Sequence, residues 1–169
     1  YGLFAGMEDA TVKNLILGAE GDKITVIGSS EKVIAVGALT GHAVNSTITG
    51  ITNNVSVLLA SNDAANPGDN LSGKLMMLGG IAGTVKAPMV VGTKDSPVKS
   101  YGEVATGKIS NEGNGGTGMQ VAGIVAFTVA VDGAELKMEY CYNYGGVSAP
   151  TGRGGGLVGT IGGATAETA

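Results

Sequence analysis

The sequence predicts an all-β protein, most simply a parallel β-solenoid of about five stacked units. Three observations predict this class. A motif of glycine, two hydrophobic residues and a small residue recurs through the 169 residues. Short runs rich in β-branched residues, each bounded by Gly, Asp or Ser, lie between the motifs, as strands lie between turns. No window carries the sustained 3.6-residue periodicity with capping signals that an amphipathic helix needs.

The motif also predicts the domain organisation. It occurs as Gly2-Leu3-Phe4-Ala5, Gly37-Ala38-Leu39-Thr40, Gly80-Ile81-Ala82-Gly83, Gly123-Ile124-Val125-Ala126 and Gly156-Leu157-Val158-Gly159. The leading glycines are 35, 43, 43 and 33 residues apart, a spacing typical of stacked repeats. We therefore expect residues 1–169 to form one repeat-built domain, with units that start near residues 2, 37, 80, 123 and 156. Glycine is expected at the corners, where φ is positive.

One segment favours a different all-β fold. The runs 127–131 and 136–140 alternate apolar with small or polar residues, and Asp132-Gly133 lies between them. Asp-Gly between two alternating runs is the strongest short-range signal of an antiparallel hairpin. The sequence therefore predicts a tight turn at Val131-Asp132-Gly133-Ala134. It also leaves an antiparallel β-sandwich open as the alternative fold.

Composition limits the classes of function. Hydrophobic residues make up 43% of the chain but aromatic residues only 4%, so the core is aliphatic. With a net charge of −4 and only 14% charged residues, the chain lacks the basic surface that nucleic-acid binding requires. No run of 18 apolar residues occurs, so no membrane span is predicted. The chain begins at Tyr1, and we expect an extracellular protein whose signal peptide has been removed, or a fragment of a longer chain.

The residue types that most often carry catalysis are isolated in this sequence. His42 is the single histidine, and Arg153 is the single arginine in a glycine-rich loop; neither stands in a recognisable relay. Glu135 and Glu139 flank Lys137 on the expected solvent face of a strand. The Asn- and Asp-rich segment 61–70 matches no calcium loop, so a plain surface loop is expected there. We therefore expect no catalytic, cofactor-binding or metal-binding residues and predict that the protein is not an enzyme.

Four positions are candidates for covalent modification. Asn45, Asn54 and Asn70 each begin an N-x-S/T sequon, the acceptor of N-linked glycans in secreted proteins. Cys141 is the single cysteine, so it cannot form an intrachain disulfide. The sequence favours a small buried hydrophobe at this position, with an interchain disulfide as the functional alternative.

One stretch resembles a known family of repeats. Cys141-Tyr142-Asn143-Tyr144-Gly145-Gly146-Val147, followed by Gly156-Leu157-Val158-Gly159, resembles the GLUG-type repeats of microbial surface proteins. Lys99-Ser100-Tyr101-Gly102-Glu103-Val104 is a weaker echo of the same phrase. The resemblance implies a surface-exposed β-solenoid of the kind found in long adhesin-like proteins. The glycine-rich, aromatic-poor composition is also similar to that of self-assembling envelope proteins, such as sheath or surface-layer subunits.

The expected function is therefore structural. We expect an extracellular protein of a microbial cell surface or envelope that pairs with further copies of itself through its β-edges, giving filaments, rings or a sheath. The first alternative is an adhesin module that binds a surface glycan or a protein partner; Tyr140, Tyr142 and Tyr144, at alternate positions, are its candidate platform. A β-helix enzyme that degrades polysaccharides is the second alternative, although it needs clustered acidic and basic residues that this sequence spreads thinly.

Overall fold

The computed structural model describes residues 1–27, 34–60, 76–106, 119–150 and 152–162. In these ranges all regular secondary structure is β-strand, which confirms the predicted all-β class. The strands are β1 (Phe4–Glu8), β2 (Thr11–Leu17), β3 (Lys23–Ile27), β4 (Ile34–Gly37), β5 (Thr40–Asn53), β6 (Ser56–Ala60), β7 (Met76–Gly79), β8 (Ala82–Val91), β9 (Val98–Ser100), β10 (Val104–Thr106), β11 (Met119–Ala122), β12 (Val125–Val129), β13 (Leu136–Met138), β14 (Cys141–Asn143), β15 (Val147–Ser148), β16 (Arg153–Gly155) and β17 (Val158–Gly162).

These strands form three sheets. Sheet 1 has the order β14-β9-β5-β8-β12-β17, with β1 and β2 beside β5 and β13 beside β8. Sheet 2 has the order β15-β10-β6-β3, and sheet 3 has the order β16-β11-β7-β4. The chain passes from sheet 1 to sheet 2 to sheet 3 and then returns to sheet 1 beside the strand it left, as in β5, β6, β7 and β8. One such passage through the three sheets is called a course below.

The described ladders between these strands are all parallel. The antiparallel sandwich is therefore wrong as an alternative fold. A parallel pair needs a long crossover between its strands, and here each crossover is supplied by the strands of the other two sheets.

The expected hairpin is also wrong. The N–H of Ala134 does donate to the carbonyl of Val131 at 3.0 Å, so a tight turn forms where Asp-Gly predicts one. However, β12 and β13 do not pair with each other; both lie parallel to β8. The six residues 130–135 stand opposite only Ala87 and Pro88 of that strand, so the turn is an outward loop within one course of the chain.

The register of sheet 1 aligns most of the glycine motifs. Phe4 lies beside Thr40, Thr40 beside Ala82, Ala82 beside Val125, and Val125 beside Val158. This places Gly2, Gly80, Gly123 and Gly156 at one position of the ladder. The second motif is displaced by one residue, because Gly37 pairs with Gly79 rather than with Gly80. Ala38 therefore occupies the place of the leading glycine, and the expected equivalence of Gly37 with the other four is wrong by one position.

Close packing, rather than backbone conformation, explains the first and last positions of the motif. Among the described residues the glycines with positive φ are Gly18, Gly21, Gly50, Gly92 and Gly133, and none of them leads a motif. Instead, a Cβ on Gly80 would lie 2.1 Å from the carbonyl oxygen of Gly123, on the neighbouring course. A Cβ on Gly83, at the fourth position, would lie 2.6 Å from the backbone nitrogen of Val36 in sheet 3. The small fourth residue thus lets sheet 1 approach sheet 3.

The second position of the motif forms the centre of the core. Leu39, Ile81 and Ile124 are each 0% exposed, and backbone bonds link them in series: Leu39 N–H to Ile81 O at 3.0 Å and Ile81 N–H to Ile124 O at 2.9 Å. The column continues to Leu3 at one end and Leu157 at the other, where the exposed fractions rise to 58% and 43%. Burial of such aliphatic side chains contributes about 1.5–3 kcal/mol each.

A polar column lies at the corner between sheets 1 and 2. Asn53 pairs with Ser100, and Ser100 pairs with Asn143. Asn53 is fully buried; its Nδ2 donates to Val55 O and Gly80 O, both at 3.0 Å, and to Ser100 Oγ at 3.2 Å. Its Oδ1 accepts from the N–H of Val55 at 3.0 Å. The side chain therefore satisfies backbone groups that the corner takes out of their ladder.

Candidate functional site

The residues of catalytic type that are isolated in the sequence also lie apart in the structure. His42 is exposed within β5 of sheet 1. Arg153 is exposed in β16 of sheet 3, beside Gln120, rather than in a loop. Glu135 forms an exposed ion pair with Lys137 (3.3 Å), of a kind that contributes at most about 1 kcal/mol. Within the described ranges no group of three or more His, Cys, Asp and Glu residues could hold a metal ion.

The segment 61–70 and Asn70 lie outside the described residues. The other two candidate glycosylation sites differ in their surroundings. Asn45 is exposed at a register shift in β5, and its Nδ2 donates to Asp9 Oδ1. Asn54 is half-buried, and its Nδ2 donates to the carbonyl of Gly18 at 3.0 Å. Glycosylation of these asparagines stays a prediction.

Cys141 is half-buried against the core at the start of β14. Its thiol donates to the carbonyls of Val91 (3.2 Å) and Glu139 (3.5 Å). Burial raises the pKa of the Cys141 thiol to about 11, since desolvation disfavours the thiolate. The thiolate is the species that reacts to form a disulfide, so Cys141 of the folded monomer should form an interchain disulfide slowly. That disulfide stays a prediction.

Alkylation of Cys141 is expected to be slow. With a pKa near 11 rather than 9.0, the thiolate fraction at pH 8 is about 100-fold smaller than that of an ordinary cysteine. Iodoacetamide labelling followed by mass spectrometry should therefore be at least about 10-fold slower for the folded chain than for the urea-unfolded control, since the greater nucleophilicity of a thiolate of higher pKa offsets only part of this loss. The unfolded thiol ionises first, so the free energy of unfolding should fall as pH rises from 9 towards 11. Equal labelling rates at pH 8 would contradict this assignment.

Exposed tyrosines form a stack on the outside of the corner between sheets 1 and 2. The rings of Tyr101 and Tyr144 lie 4.9 Å apart at an interplanar angle of 13°, and those of Tyr142 and Tyr144 lie 6.4 Å apart at 15°. The three side chains are 41–60% exposed. Tyr140 is 45% exposed and lies outside this stack at a positive φ of 50°. The platform expected at Tyr140, Tyr142 and Tyr144 thus faces outwards, but it contains Tyr101 in place of Tyr140.

The parallel register builds the stack. The N–H of Tyr144 donates to Ser100 O at 2.8 Å, and the N–H of Tyr101 donates to Asn53 O at 2.7 Å. Tyr144, Tyr101 and Asn54 therefore follow one another on successive courses, whose spacing of about 4.8 Å equals a stacking distance. Tyr101 lies in the segment that echoes 141–147, and Val104 pairs with Val147, so the two segments are in register. The likeness of segment 99–104 to segment 141–147 is therefore the sequence signal that could have placed Tyr101 beside Tyr144.

A groove of about 500 Å³ opens where the stack ends. Its side chains come from the turn after β2, from the connection between β5 and β6 with the first residue of β6, and from the segment between β9 and β10: Glu20, Asn54, Ser56, Tyr101 and Glu103. The turn is closed by the N–H of Asp22, which donates to Ala19 O at 3.1 Å, and by Asp22 Oδ2, which accepts from the Ala19 N–H at 2.9 Å. Glu20 and Glu103 were not identified as site residues from the sequence. They are far apart in the sequence, and only the strand register brings their segments to one corner.

The fold and this corner define an all-β protein of parallel sheets with an exposed aromatic and carboxylate surface. No family model, curated protein or solved structure matches the chain. Among the described residues, no helix is long and apolar enough to cross a membrane.

Proposed function

We propose that the chain is a three-sided parallel β-solenoid and that it serves as a non-enzymatic structural protein of a microbial cell surface or envelope. Support for the solenoid comes from the repeated course through sheets 1, 2 and 3 and from the in-register columns of small, aliphatic and polar residues. Support for the extracellular location comes from the resemblance to GLUG-type repeats and from the composition.

Self-assembly through the β-edges is the central part of this proposal. The observation that carries it is the exposure of apolar side chains where the interior columns end. Met7, Ala43, Val85 and Thr128 follow one another in register and are 0–7% exposed, yet the next member, Ile161, is 76% exposed. Leu3 and Leu157 end the neighbouring column in the same way. Within the described residues no further course covers these three side chains.

A second copy of the protein can supply that course. Among the described residues no further strand lies beside β17 in sheet 1, β15 in sheet 2 or β16 in sheet 3, and an edge strand of this kind is a template for pairing. The exposed surface at one end differs from that at the other, so contact between them is heterologous. Such a contact extends into a filament, or into a ring where the rotation closes.

Ile161→Lys is expected to prevent assembly, because it places a charge at the end of an apolar interior column. Ile16→Lys is the matched control: Ile16 is 71% exposed, but its partner Thr52 faces outwards beside Lys99. Light scattering across a concentration series and negative-stain imaging should show filaments, rings or tubes for the wild type and Ile16→Lys. Ile161→Lys should remain monomeric. A wild-type chain that stays monomeric at every concentration would overturn the proposal and leave the ends to neighbouring segments of a longer protein.

The second candidate is an adhesin module, and the exposed stack of Tyr101, Tyr142 and Tyr144 is the observation that favours it. A stack of exposed rings beside a groove suits recognition of a ligand from outside. A polysaccharide-degrading β-helix enzyme has less support. We predict that His42→Ala and Arg153→Ala leave the biological activity unchanged, since these two residues lie in different sheets.

A further inference from the structure

The inference concerns the ligand of the groove below Tyr101, and it rests on the adhesin candidate rather than on self-assembly. One face of the Tyr101 ring is covered by Tyr144 at 4.9 Å. The other face is directed towards the course of Asn54, where a much smaller side chain leaves the groove open. An aromatic face at the wall of a groove is a surface on which the apolar face of a sugar ring, or a cation, can lie.

The polar groups around this ring face are mainly acceptors. Glu20 and Glu103 line the groove from two different loops. Asn54 gives one of the two Nδ2 hydrogens to Gly18 O, and its Oδ1 remains to accept from a ligand. Ser56 Oγ accepts from the N–H of Glu103 at 3.1 Å, which holds the loop of Glu103 against the groove. A matching ligand therefore carries many donors.

Charge narrows the ligand further. The two charged side chains that line the groove in the described part of the chain are both acidic, and the protein has a net charge of −4. Acidic sugars and phosphorylated groups would be repelled, whereas a cation gains from the two carboxylates and from the tyrosine ring. We propose that this groove binds a polysaccharide of amino sugars with free, positively charged amines, with one sugar ring on Tyr101 and its ammonium group towards Glu20 and Glu103.

The test uses the full chain and the fully deacetylated hexamer of β-1,4-linked glucosamine as the probe. Tyrosine is the only strong fluorophore because the chain has no Trp, so quenching of tyrosine emission reports binding directly and calorimetry checks it. The deacetylated hexamer is expected to bind at least 10-fold more tightly than the N-acetylated hexamer. Polygalacturonate should not bind, and added salt should weaken the interaction.

Substitutions locate the site. Tyr101→Ala should weaken binding at least 10-fold, whereas Tyr140→Ala, an equally exposed tyrosine outside the stack, should leave the affinity unchanged. The double variant Glu20→Gln and Glu103→Gln should abolish the preference for the deacetylated hexamer. Circular dichroism of each variant checks that it has folded.

Each contrary result overturns the assignment. Equal binding by the Tyr101→Ala variant would mean that the hexamer is attracted only by the net negative charge. Equal binding of the acetylated and deacetylated hexamers would remove the role of the carboxylates, and a lysine hexapeptide that binds as tightly would assign the groove to peptides. If the chain forms filaments but does not bind the hexamer, only the ligand proposal is rejected. If the chain binds the hexamer but stays monomeric, only the self-assembly proposal is rejected.

Discussion

Asn53→Ala is expected to lower the free energy of unfolding by about 3 kcal/mol, a large fraction of the stability of a domain of this size. The side chain is 0% exposed and makes four hydrogen bonds, including those to Val55 N–H, Val55 O and Gly80 O. Alanine leaves these backbone groups unsatisfied at a buried corner, at a cost of about 1–3 kcal/mol for each fully buried group. Urea unfolding monitored by circular dichroism measures the loss, and the melting temperature should fall by roughly 10 °C.

Two further variants separate the causes. Asn54→Ala, at the next residue, removes a single exposed hydrogen bond to Gly18 O and should cost less than about 1 kcal/mol. Asn53→Leu restores the volume without the hydrogen bonds, and leucine is the residue found one course earlier, at Leu17. If hydrogen bonding is the cause, the leucine variant stays as unstable as the alanine variant. Recovery of stability with leucine would show instead that Asn53 acts by filling space.

The sequence reveals the class of the fold because its signal repeats. Short β-branched runs and recurring glycine motifs are features of local chemistry, and each occurrence supports the others. The reason for the motif is not local, however. Gly80 is glycine because of the carbonyl of Gly123, which lies 43 residues further along the chain, and Gly83 is glycine because of the backbone of Val36. Only the register reveals such contacts.

The hairpin shows how a correct local signal can mislead. Asp132-Gly133 does form a turn, with Gly133 at φ 73°. The runs on either side nevertheless pair with β8, because that strand offers parallel partners whose side chains, such as Val85 and Met89, belong to the core. Burial against a third strand outweighs the pairing of two short runs with each other, as an isolated two-stranded hairpin is only marginally stable.

The candidate site was predictable in part. Alternation correctly predicts that Tyr142 and Tyr144 share a face, because successive side chains of a strand point to opposite sides. Tyr101 is 43 residues away from Tyr144 and Glu20 is 81 residues away from Tyr101, so no pattern within a window brings them together. The stack needs a register in which two tyrosines occupy the same place on adjacent courses, and the groove needs a smaller residue, Asn54, on the course that precedes that of Tyr101.

Gly123→Ala is expected to cost about 2–3 kcal/mol of folding free energy by overpacking. A Cβ at this position would lie 2.1 Å from Asn143 Cγ and 2.4 Å from the carbonyl oxygen of Gly156. The Asn143 side chain is held by its bond to Gly145 O at 2.9 Å. The Gly156 carbonyl lies between Gly155 O and Leu157 O, which accept from the N–H groups of Gly123 and Ile124, so it cannot move without disturbing those two bonds. Thermal and urea unfolding of the wild type and the variant measure the loss. A change of less than about 0.5 kcal/mol would show that the two courses separate more easily than this packing implies.

Gly156→Ala is the matched variant, because Gly156 occupies the same place on the last described course. A Cβ there would have no heavy atom within 4 Å, so at low concentration its unfolding should be within about 0.5 kcal/mol of the wild type. In an assembly, a second copy would cover Gly156 in the way that the last described course covers Gly123. The methyl group of the alanine at position 156 would then meet a backbone carbonyl of that second copy. Gly156→Ala should then keep the stability of the monomer but shift assembly, measured by light scattering, to higher concentration. Loss of monomer stability equal to that of Gly123→Ala would show that Gly156 is already covered within one chain.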